Sequence, residues 1–358
     1  MKIIDRYIIK KFLSTYFFAI ALIVGIAVVF DASEKIDDFI DTEAPLKAVL
    51  FDYYLNFIPY FANLFSSLFV FIAVIFFTSK MAYSSEIIAI LSSGMSFKRL
   101  LYPYFIGALI ITAFNFTLGY YIIPESNKAR LEFQSLYLKG QSQSGESQVH
   151  KQIEPGVYVY MENFNLKRAH GYVFTMETFV GNELRSSLYA NRIMWDSVAA
   201  EWTIENYIIR HFEENGHRIE TGSRKDTAIK VTPEDFTKEN ELVSSMTHNE
   251  LDEYIEQQQL RGTSAITESL LEKHKRVAFP FSTFVLTLMG VILSSKKVRG
   301  GIGLQIGLGI LLSFTYILFM KFSDTFALSG VVSPVVAVWI PNIIYTGIAL
   351  ALVPMSPK

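Results

Sequence analysis

The side chains that usually perform catalysis or hold metals are sparse in this 358-residue sequence. There is no cysteine, which excludes disulfides, thiolate metal sites and catalytic thiols. Of the scattered histidines, His211 and His217 bracket an Asn-Gly turn as two metal ligands would, although surface strand residues are the simpler interpretation. The glycine-rich run 300–303 lacks the Gly-Lys-Ser/Thr of a phosphate-binding loop. We therefore expect no catalytic residue, metal or cofactor in this chain, and no ATP hydrolysis by it.

Residues 84–95 have the spacing of a short surface helix. Ser84 or Ser85 can cap its start, and Glu86 would lie near the positive end of the helix dipole. Gly94 is a natural left-handed stop. One apolar face is predicted from residues at helical spacing: Ile87, Ile90, Leu91 and Met95.

Two interpretations of this helix remain open. It can be an ordinary interfacial helix that anchors a loop. It can also be a coupling helix that docks into a cytoplasmic partner, with Glu86 as the charged contact, because a carboxylate removed from water needs a basic partner.

These residues must be positioned by elements that the composition assigns to a membrane. The chain is 51% hydrophobic and 18% charged, and its net charge of -2 argues against a nucleic-acid partner. A membrane-spanning helix needs about 20 apolar residues. Six runs approach that length: 12–30, 57–78, 101–123, 277–295, 302–322 and 334–353.

Lysine and arginine predict the orientation of the six spans. They concentrate in the amino-terminal segment and in the loops at 79–100 and 296–301, whereas segment 31–56 holds seven acids against Lys35 and Lys47. Because basic loops stay in the cytoplasm, both termini are predicted to be cytoplasmic and residues 124–272 to lie outside.

The long middle segment changes character. From about 150 to 236 it alternates in period two, with turn formers at Pro155-Gly156, Gly181-Asn182 and Asn215-Gly216. This pattern predicts an all-β sandwich or roll. Residues 140–148 read as a linker, and Thr247 with Glu250 forms a capping box that predicts a helix from about 248, with a break near Gly262. The predicted domains are therefore 1–123 with three spans, 124–272 outside, and 273–358 with three spans.

The chain resembles the permease family of the lipopolysaccharide export ABC transporter, LptF and LptG (YjgP/YjgQ-like). The matching pieces are Asp5-Arg6-Tyr7-Ile8, the Ser85-Glu86 to Ser96 segment, Pro124-Glu125, and Arg276 with Pro280, in this order around the 3 + β + 3 layout. The resemblance covers essentially the whole chain.

The resemblance implies a bacterial inner-membrane protein of outer membrane biogenesis, with a periplasmic β-jellyroll-like domain. It implies a heterodimer with a second LptF/LptG-like permease and two copies of a cytoplasmic ATPase subunit docked on the coupling helices. It further implies a single-span LptC-like subunit and periplasmic bridge proteins that receive lipopolysaccharide.

A cavity for lipopolysaccharide needs apolar walls and cations near its outer rim, because the lipid has acyl chains and an anionic head. Five residues at the predicted outer interface are candidates: Lys35, Lys128, Arg130, Arg276 and Lys321. The alternative is that they only snorkel to lipid headgroups. At the start of span five, Gly303 and Gly307 form a small-xxx-small pattern that allows close helix approach, either within the chain or at a subunit seam where the gate would lie.

A membrane scaffold or sensor and a secondary transporter are the two alternative functions. A membrane scaffold or sensor would bind envelope proteins through its β domain and transport nothing. A self-powered secondary transporter usually carries ionisable residues mid-membrane, and spans one to four and six have none. We therefore favour an ATP-driven exporter subunit.

Overall fold

The computed structural model divides into two compact units, which we call the membrane unit and the sheet unit. The membrane unit comprises Met1–Glu34, Tyr54–Ser126 and Leu270–Lys358, and the sheet unit comprises Lys35–Tyr53 and Asn127–Ser269. The described residues are 2–138, 144–165, 168–181, 183–197, 199, 201–213, 216–227, 229, 232–233, 239–261, 266–296 and 302–355.

The helices follow the predicted order along the chain. They are α1 (Ile3–Asp41), α2 (Leu46–Tyr83), α3 (Glu86–Ser92), α4 (Phe97–Tyr137), α5 (Glu239–Ser245), α6 (His248–Arg261), α7 (Ile266–Ser294), α8 (Ile302–Leu328) and α9 (Pro334–Leu352). Six of them, α1, α2, α4, α7, α8 and α9, are long and apolar enough to cross a membrane, which confirms the six predicted spans.

Three spans, α1, α2 and α4, have 38 residues or more and extend furthest beyond their apolar runs. At a rise of about 1.5 Å per residue, α1 extends for about 58 Å, well beyond the ~30 Å hydrocarbon core. Much of segment 31–56 is therefore helical, which its acidic composition did not reveal. Helices α2 and α4 each contain a π-helical turn, at Val49–Tyr54 and Leu118–Ile122, a feature that is frequent at functional sites.

Aromatic rings and glycines pack the membrane unit. Phe12 of α1 stacks on Phe77 of α2 with centroids 5.8 Å apart, and Phe77 stacks on Tyr104 of α4 at 5.3 Å. A Cβ atom on Gly107 of α4 would come within 2.5 Å of the Phe12 ring. Glycine is therefore what allows α4 to approach α1 so closely. Gly290 of α7 faces α2 in the same manner.

Buried hydroxyl and amide groups bond across these helices. The Tyr16 hydroxyl of α1 lies 2.7 Å from the Ser66 hydroxyl of α2, and Asn115 of α4 donates to Ser66 at 2.6 Å. Ser67 and Ser282 link α2 to α7 through a 2.8 Å bond. Because the hydrocarbon core offers no water as a partner, such bonds fix the positions of the helices they join.

The sheet unit contains a six-stranded antiparallel sheet, which confirms the inserted β domain. The strands are β1 (Ser144–Glu154), β2 (Val157–Asn165), β3 (His170–Val180), β4 (Glu183–Asp196), β5 (Glu201–Glu213) and β6 (Gly216–Thr227). Each described strand pairs with its neighbours in the sequence, so the sheet is a meander whose edges are β1 and β6.

The predicted turns lie where the strands reverse. Glu154 pairs with Val157 across Pro155-Gly156, and Gly156 has a φ of +80°, a conformation that glycine adopts without strain. Glu213 and Gly216 pair across the predicted hairpin turn. The other turn residues named above, Asn182 and Asn215, lie outside the described residues, as do Gly262 and residues 140–143 of the predicted linker. The linker prediction is wrong for residues 144–148, which belong to β1.

One face of the sheet is buried around Trp202, which is fully inaccessible. In a regular strand, residues on one face are two positions apart. In four adjacent strands, two buried residues that pair across the sheet are instead three positions apart: Met161 and Phe164, Gly171 and Phe174, Ala190 and Ile193, Ile204 and Tyr207. Val173 and Asn206, between these pairs, have positive φ angles. Because each of these strands has one extra residue at this position, it presents the same face to the core before and after the irregularity.

The helix predicted after the strands is confirmed. α6 begins at His248, and the Thr247 backbone amide donates to the Glu250 carboxylate at 2.8 Å. The Glu250 amide donates back to the Thr247 hydroxyl at 3.4 Å, completing the capping box. These hydrogen bonds from Thr247 lower the pKa of Glu250 below its usual value.

Candidate functional site

The surface helix α3 is shorter than predicted and begins differently. Its first residues follow Ser85, which has a φ of +61° and whose side chain makes no capping bond, so the predicted serine cap is wrong at that position. Gly94 has a φ of +87°, as expected for a left-handed stop. Ser96 then accepts a hydrogen bond from the Arg99 amide at 3.3 Å and caps α4.

Polar side chains join α3 to α1, and α1 to α4. Glu86 accepts a hydrogen bond from the Tyr7 hydroxyl of α1 at 3.1 Å. Beside it, Arg99 of α4 donates two hydrogen bonds to Asp5 of α1, at 2.8 and 2.7 Å, and Asp5 is 1% exposed. A buried carboxylate needs such a forked cationic partner. Sequence reasoning missed this pair, because its members are 94 positions apart.

The predicted apolar face of α3 is turned toward the chain's own core. Ile87 is buried, and Ile90 and Leu91 pack against the same cluster. What remains open is a different surface, with Tyr83 61% and Ile88 52% exposed. Those two residues, rather than Ile87, Ile90 and Leu91, are available to a docking protein.

Three of the five candidate cations are held by side chains of their own unit. Lys35 donates to the Tyr53 hydroxyl and lies 5.0 Å from that ring. Lys128 pairs with Glu250 at 3.6 Å. The Arg276 guanidinium, 4% exposed, bonds Glu272 of the same helix at 3.1 Å. These residues therefore have structural contacts that position them.

The remaining two candidates differ from one another. Arg130 is half-buried in the sheet unit. Lys321 is exposed on α8, and within the described part of the chain no carboxylate forms an ion pair with it. Nearby Asp324 instead pairs at 2.7 Å with Lys275 of α7, a residue that the sequence pattern did not single out.

Lys321 lies on a helix that the chain leaves largely uncovered. In the most apolar stretches of α1 and α8, 22% of the residues are buried, against 61% in α7. Phe314 and Leu318, which share a face with Lys321 at helical spacing, are 57% and 41% exposed. α1 likewise exposes a run of large apolar side chains: Phe17, Phe18, Leu22, Ile26, Val29 and Phe30.

The glycines of α8 divide between an inner and an outer side. A Cβ atom on Gly309 would lie 2.5 Å from Ile75 of α2, so this glycine forms the close contact within the chain. A Cβ atom on Gly303 or Gly307 would meet nothing within 4 Å in the described structure. The small-xxx-small pair therefore faces away from the chain's own helices.

Among the described residues, no group of three or more histidine, aspartate or glutamate side chains could hold a metal ion. His211 and His217 lie on the β5–β6 hairpin, opposite Arg218 and Phe212 respectively. Two features stand out. The apolar faces of α1 and α8 are uncovered, with Lys321 exposed on α8. The surface helix α3 is bonded to α1 through Glu86 and Tyr7.

Comparison with known proteins agrees with this arrangement. No curated protein matches the chain. The family described as "Lipopolysaccharide export system permease LptF/LptG" matches residues 6–354, essentially the whole length. With its six apolar helices and its inserted antiparallel sheet, the chain is a multi-pass membrane protein that belongs to the LptF/LptG family of lipopolysaccharide export permeases.

Proposed function

We propose that this chain is one permease subunit of an ATP-driven transporter that extracts lipopolysaccharide from the bacterial inner membrane and passes it to a periplasmic bridge. The observation that carries the proposal is that α1 and α8 each leave an apolar face uncovered, with Lys321 on the face of α8. Acyl chains need such a surface, and a phosphorylated head needs the cation.

A second LptF/LptG-like permease would close this surface from the other side. Support comes from Gly303 and Gly307, which leave room for a helix that does not belong to this chain. The lipid cavity would then lie between the two subunits, with Arg276 and Lys321 of the membrane unit toward its outer rim. A single-span LptC-like subunit would lie beside this gate.

ATP hydrolysis would take place in two copies of a cytoplasmic ATPase. One of them would dock on the surface formed by Tyr83, Glu86 and Ile88. The bond of Tyr7 to Glu86 supports this role, because a helix that transmits movement must be fixed to the span it moves. The pair of Arg99 and Asp5 links that span, α1, to α4. Closure of the ATPases would narrow the cavity and drive the lipid upward.

The sheet unit would hand the lipid to the periplasmic bridge. β1 and β6 end the described sheet without a further strand, and an exposed edge can be extended by a strand of a partner. The β domain would then lie in the periplasm and both termini in the cytoplasm, as the basic loops predict.

A transport assay tests the lipid surface. We expect Lys321→Gln to reduce ATP-dependent release of lipopolysaccharide from proteoliposomes by roughly fivefold, because a lysine near an anionic membrane surface contributes about 1 kcal/mol. Lys321→Arg keeps the charge and should retain activity. Equal activity of the glutamine variant and the unchanged protein would contradict the role of this cation.

Co-purification tests the coupling helix and separates an exporter from a scaffold. We expect the chain to bring down an ATPase in detergent, and Glu86→Ala or Glu86→Arg to weaken docking or ATPase coupling. Tyr7→Phe separates the two roles of Glu86, because it removes the hydrogen bond that fixes α3 and keeps the carboxylate; docking should persist while ATPase coupling falls. If no ATPase co-purifies, the scaffold or sensor function is favoured instead.

A further inference from the structure

An ion pair joins α7 to α8 close to the exposed lysine of α8. The Lys275 ammonium of α7 lies 2.7 Å from the Oδ2 atom of Asp324 on α8. The side chain of Asp324 is 11% exposed and that of Lys275 is 28% exposed, so water screens this pair less than it would at the surface. Lys321, which lies one turn before Asp324, is exposed instead.

One oxygen of Asp324 has no partner among the described residues. Its Oδ1 atom is buried and accepts no hydrogen bond there. Lys321 precedes Asp324 by three positions, and at this spacing the Cβ atoms of helix residues are about 5–6 Å apart. The flexible four-carbon stem of a lysine can cover that distance. The carboxylate is therefore bonded to Lys275 and is also within the range of Lys321.

The charges of α8 make this second pairing important. Lys321 and Asp324 are the two charged residues of Ile302–Leu328. Taken alone, the helix would carry a lysine and an aspartate at ion-pair spacing and would be neutral. On α7, Glu272 is three residues before Lys275 but is bonded to the Arg276 guanidinium at 3.1 Å. The competition for Asp324 is therefore between Lys275 and Lys321.

Charge balance explains why Lys321 remains exposed. Because Lys275 compensates the charge of Asp324, a second ammonium would lose its water without meeting an uncompensated charge. If the residue at position 275 were neutral, the buried carboxylate would have no counter-ion, and Lys321 would be the nearest lysine on its own helix. A paired Lys321 would no longer offer a net positive charge to a ligand.

We propose that Lys275 is a positioning residue for lipopolysaccharide binding. By pairing with Asp324, it prevents that carboxylate from neutralising Lys321. This inference rests on the proposed role of Lys321 as the cation for the anionic head of the lipid. Lys275 itself does not contact the lipid, so a residue of α7 determines the charge that α8 presents.

Acetylation of lysines measures which of them is paired. The purified transporter complex in nanodiscs is treated briefly with sulfo-N-hydroxysuccinimide acetate, and mass spectrometry measures the rate at each lysine. An amine in an ion pair stays protonated and therefore reacts slowly. We expect Lys275→Gln to slow acetylation of Lys321 at least fivefold, and the double variant Lys275→Gln/Asp324→Asn to restore it. Lys296→Gln is the control, because it removes an exposed positive charge beyond the other end of α7 and should leave Lys321 unchanged. Unchanged acetylation of Lys321 in Lys275→Gln would overturn the proposal.

Lipid binding separates this inference from the proposed function. We expect the affinity for lipopolysaccharide to fall about fivefold in Lys275→Gln, as in Lys321→Gln, and to recover in the double variant Lys275→Gln/Asp324→Asn. A lysine that binds the lipid directly, or a pair that only holds two helices together, would not give this recovery. A double variant as weak as Lys275→Gln would therefore overturn the proposal. Loss of affinity in Lys321→Gln without loss in Lys275→Gln would overturn this inference alone, whereas normal binding by Lys321→Gln would contradict the proposed function.

The unchanged protein provides a second measurement if Lys275→Gln does not assemble. Saturating lipopolysaccharide should slow acetylation of Lys321 several-fold, because the anionic head covers its ammonium, and should leave the slow acetylation of Lys275 as it is. Asp324→Asn should accelerate acetylation of Lys275 and keep Lys321 reactive. Equal protection of both lysines by the lipid would show that Lys275 is itself a ligand, which would overturn its assignment as a positioning residue.

Discussion

The buried trio of Tyr16, Ser66 and Asn115 gives the sharpest stability prediction. It joins three spans, and each of the two outer members reaches the Ser66 hydroxyl independently. Tyr16→Phe removes a 2.7 Å bond to Ser66 and a long 3.4 Å bond to the Asn115 carbonyl oxygen. Ser66 then still accepts from Asn115, so the single variant leaves it with a partner.

The expected magnitude follows from that redundancy. Hydrogen bonds between membrane helices contribute on average about 0.6 kcal/mol, with a maximum near 1.7 kcal/mol. The 3.4 Å bond is too long to add much. We therefore expect Tyr16→Phe to cost about 0.6–1.7 kcal/mol, and Asn115→Leu to preserve the bond between Tyr16 and Ser66. The double variant leaves Ser66 without both partners, which adds a penalty of about 1–3 kcal/mol beyond the sum.

Thermal unfolding of the complete transporter in detergent measures these differences. At roughly 2–4 °C per kcal/mol, Tyr16→Phe should lower the midpoint by about 1–7 °C. Tyr121→Phe is the control, because that side chain lies on α4 and is 63% exposed. Strictly additive effects in the double variant would show that Ser66 does not depend on these two partners, and the reasoning would then be refuted.

Two further predictions concern packing and pH. Gly309→Leu should destabilise the chain by about 1–3 kcal/mol through overpacking against Ile75. Gly303→Leu should leave the chain stable and weaken recovery of the second permease. Equal effects of the two variants on unfolding would contradict the assignment of Gly309 to the inner side of α8 and Gly303 to the outer side. Burial, with smaller contributions from Arg192 and Arg168, lowers the pKa of His170, so the unfolded state binds more protons as the pH falls below about 6.5. The stability that neutral His170 provides is present above that pH and decreases below it. Tryptophan fluorescence should show acid destabilisation that His170→Gln reduces, and an unchanged pH slope in that variant would contradict it.

The elements of the fold could be predicted because the period and the length of an apolar run depend on whether the segment faces lipid, water or the protein core. The six apolar runs and the strand periodicity of the middle segment depend only on neighbours in the sequence. The extra helical length of α1 was missed, because outside the hydrocarbon core a helix no longer needs apolar residues. Ser85 was misassigned as a capping side chain, because a serine before a helix satisfies the capping rule in composition alone.

The contacts of the site were less accessible to sequence reasoning. The pattern identified α3 but not which of its faces the chain itself would cover, and Ile87 proved to be a core residue. The pairing of Asp5 with Arg99 and of Lys275 with Asp324 depends on helices brought together by the fold. Lysines near the ends of spans look alike in a sequence. The structure distinguishes Lys128, which contacts Glu250, from Lys321.

Exposure alone does not identify a partner surface in a membrane, because lipid tails are as apolar as leucine. The polar and small residues of α8 are what indicate a partner there. Lys321 lies seven residues before the end of α8, about 10 Å along the helix, where direct contact with lipid tails would be unfavourable. Gly303 and Gly307 give lipid no better surface than alanine would, yet they give a second helix room to approach. The proposed lipid head and second permease would account for both features, whereas lipid tails would account for neither.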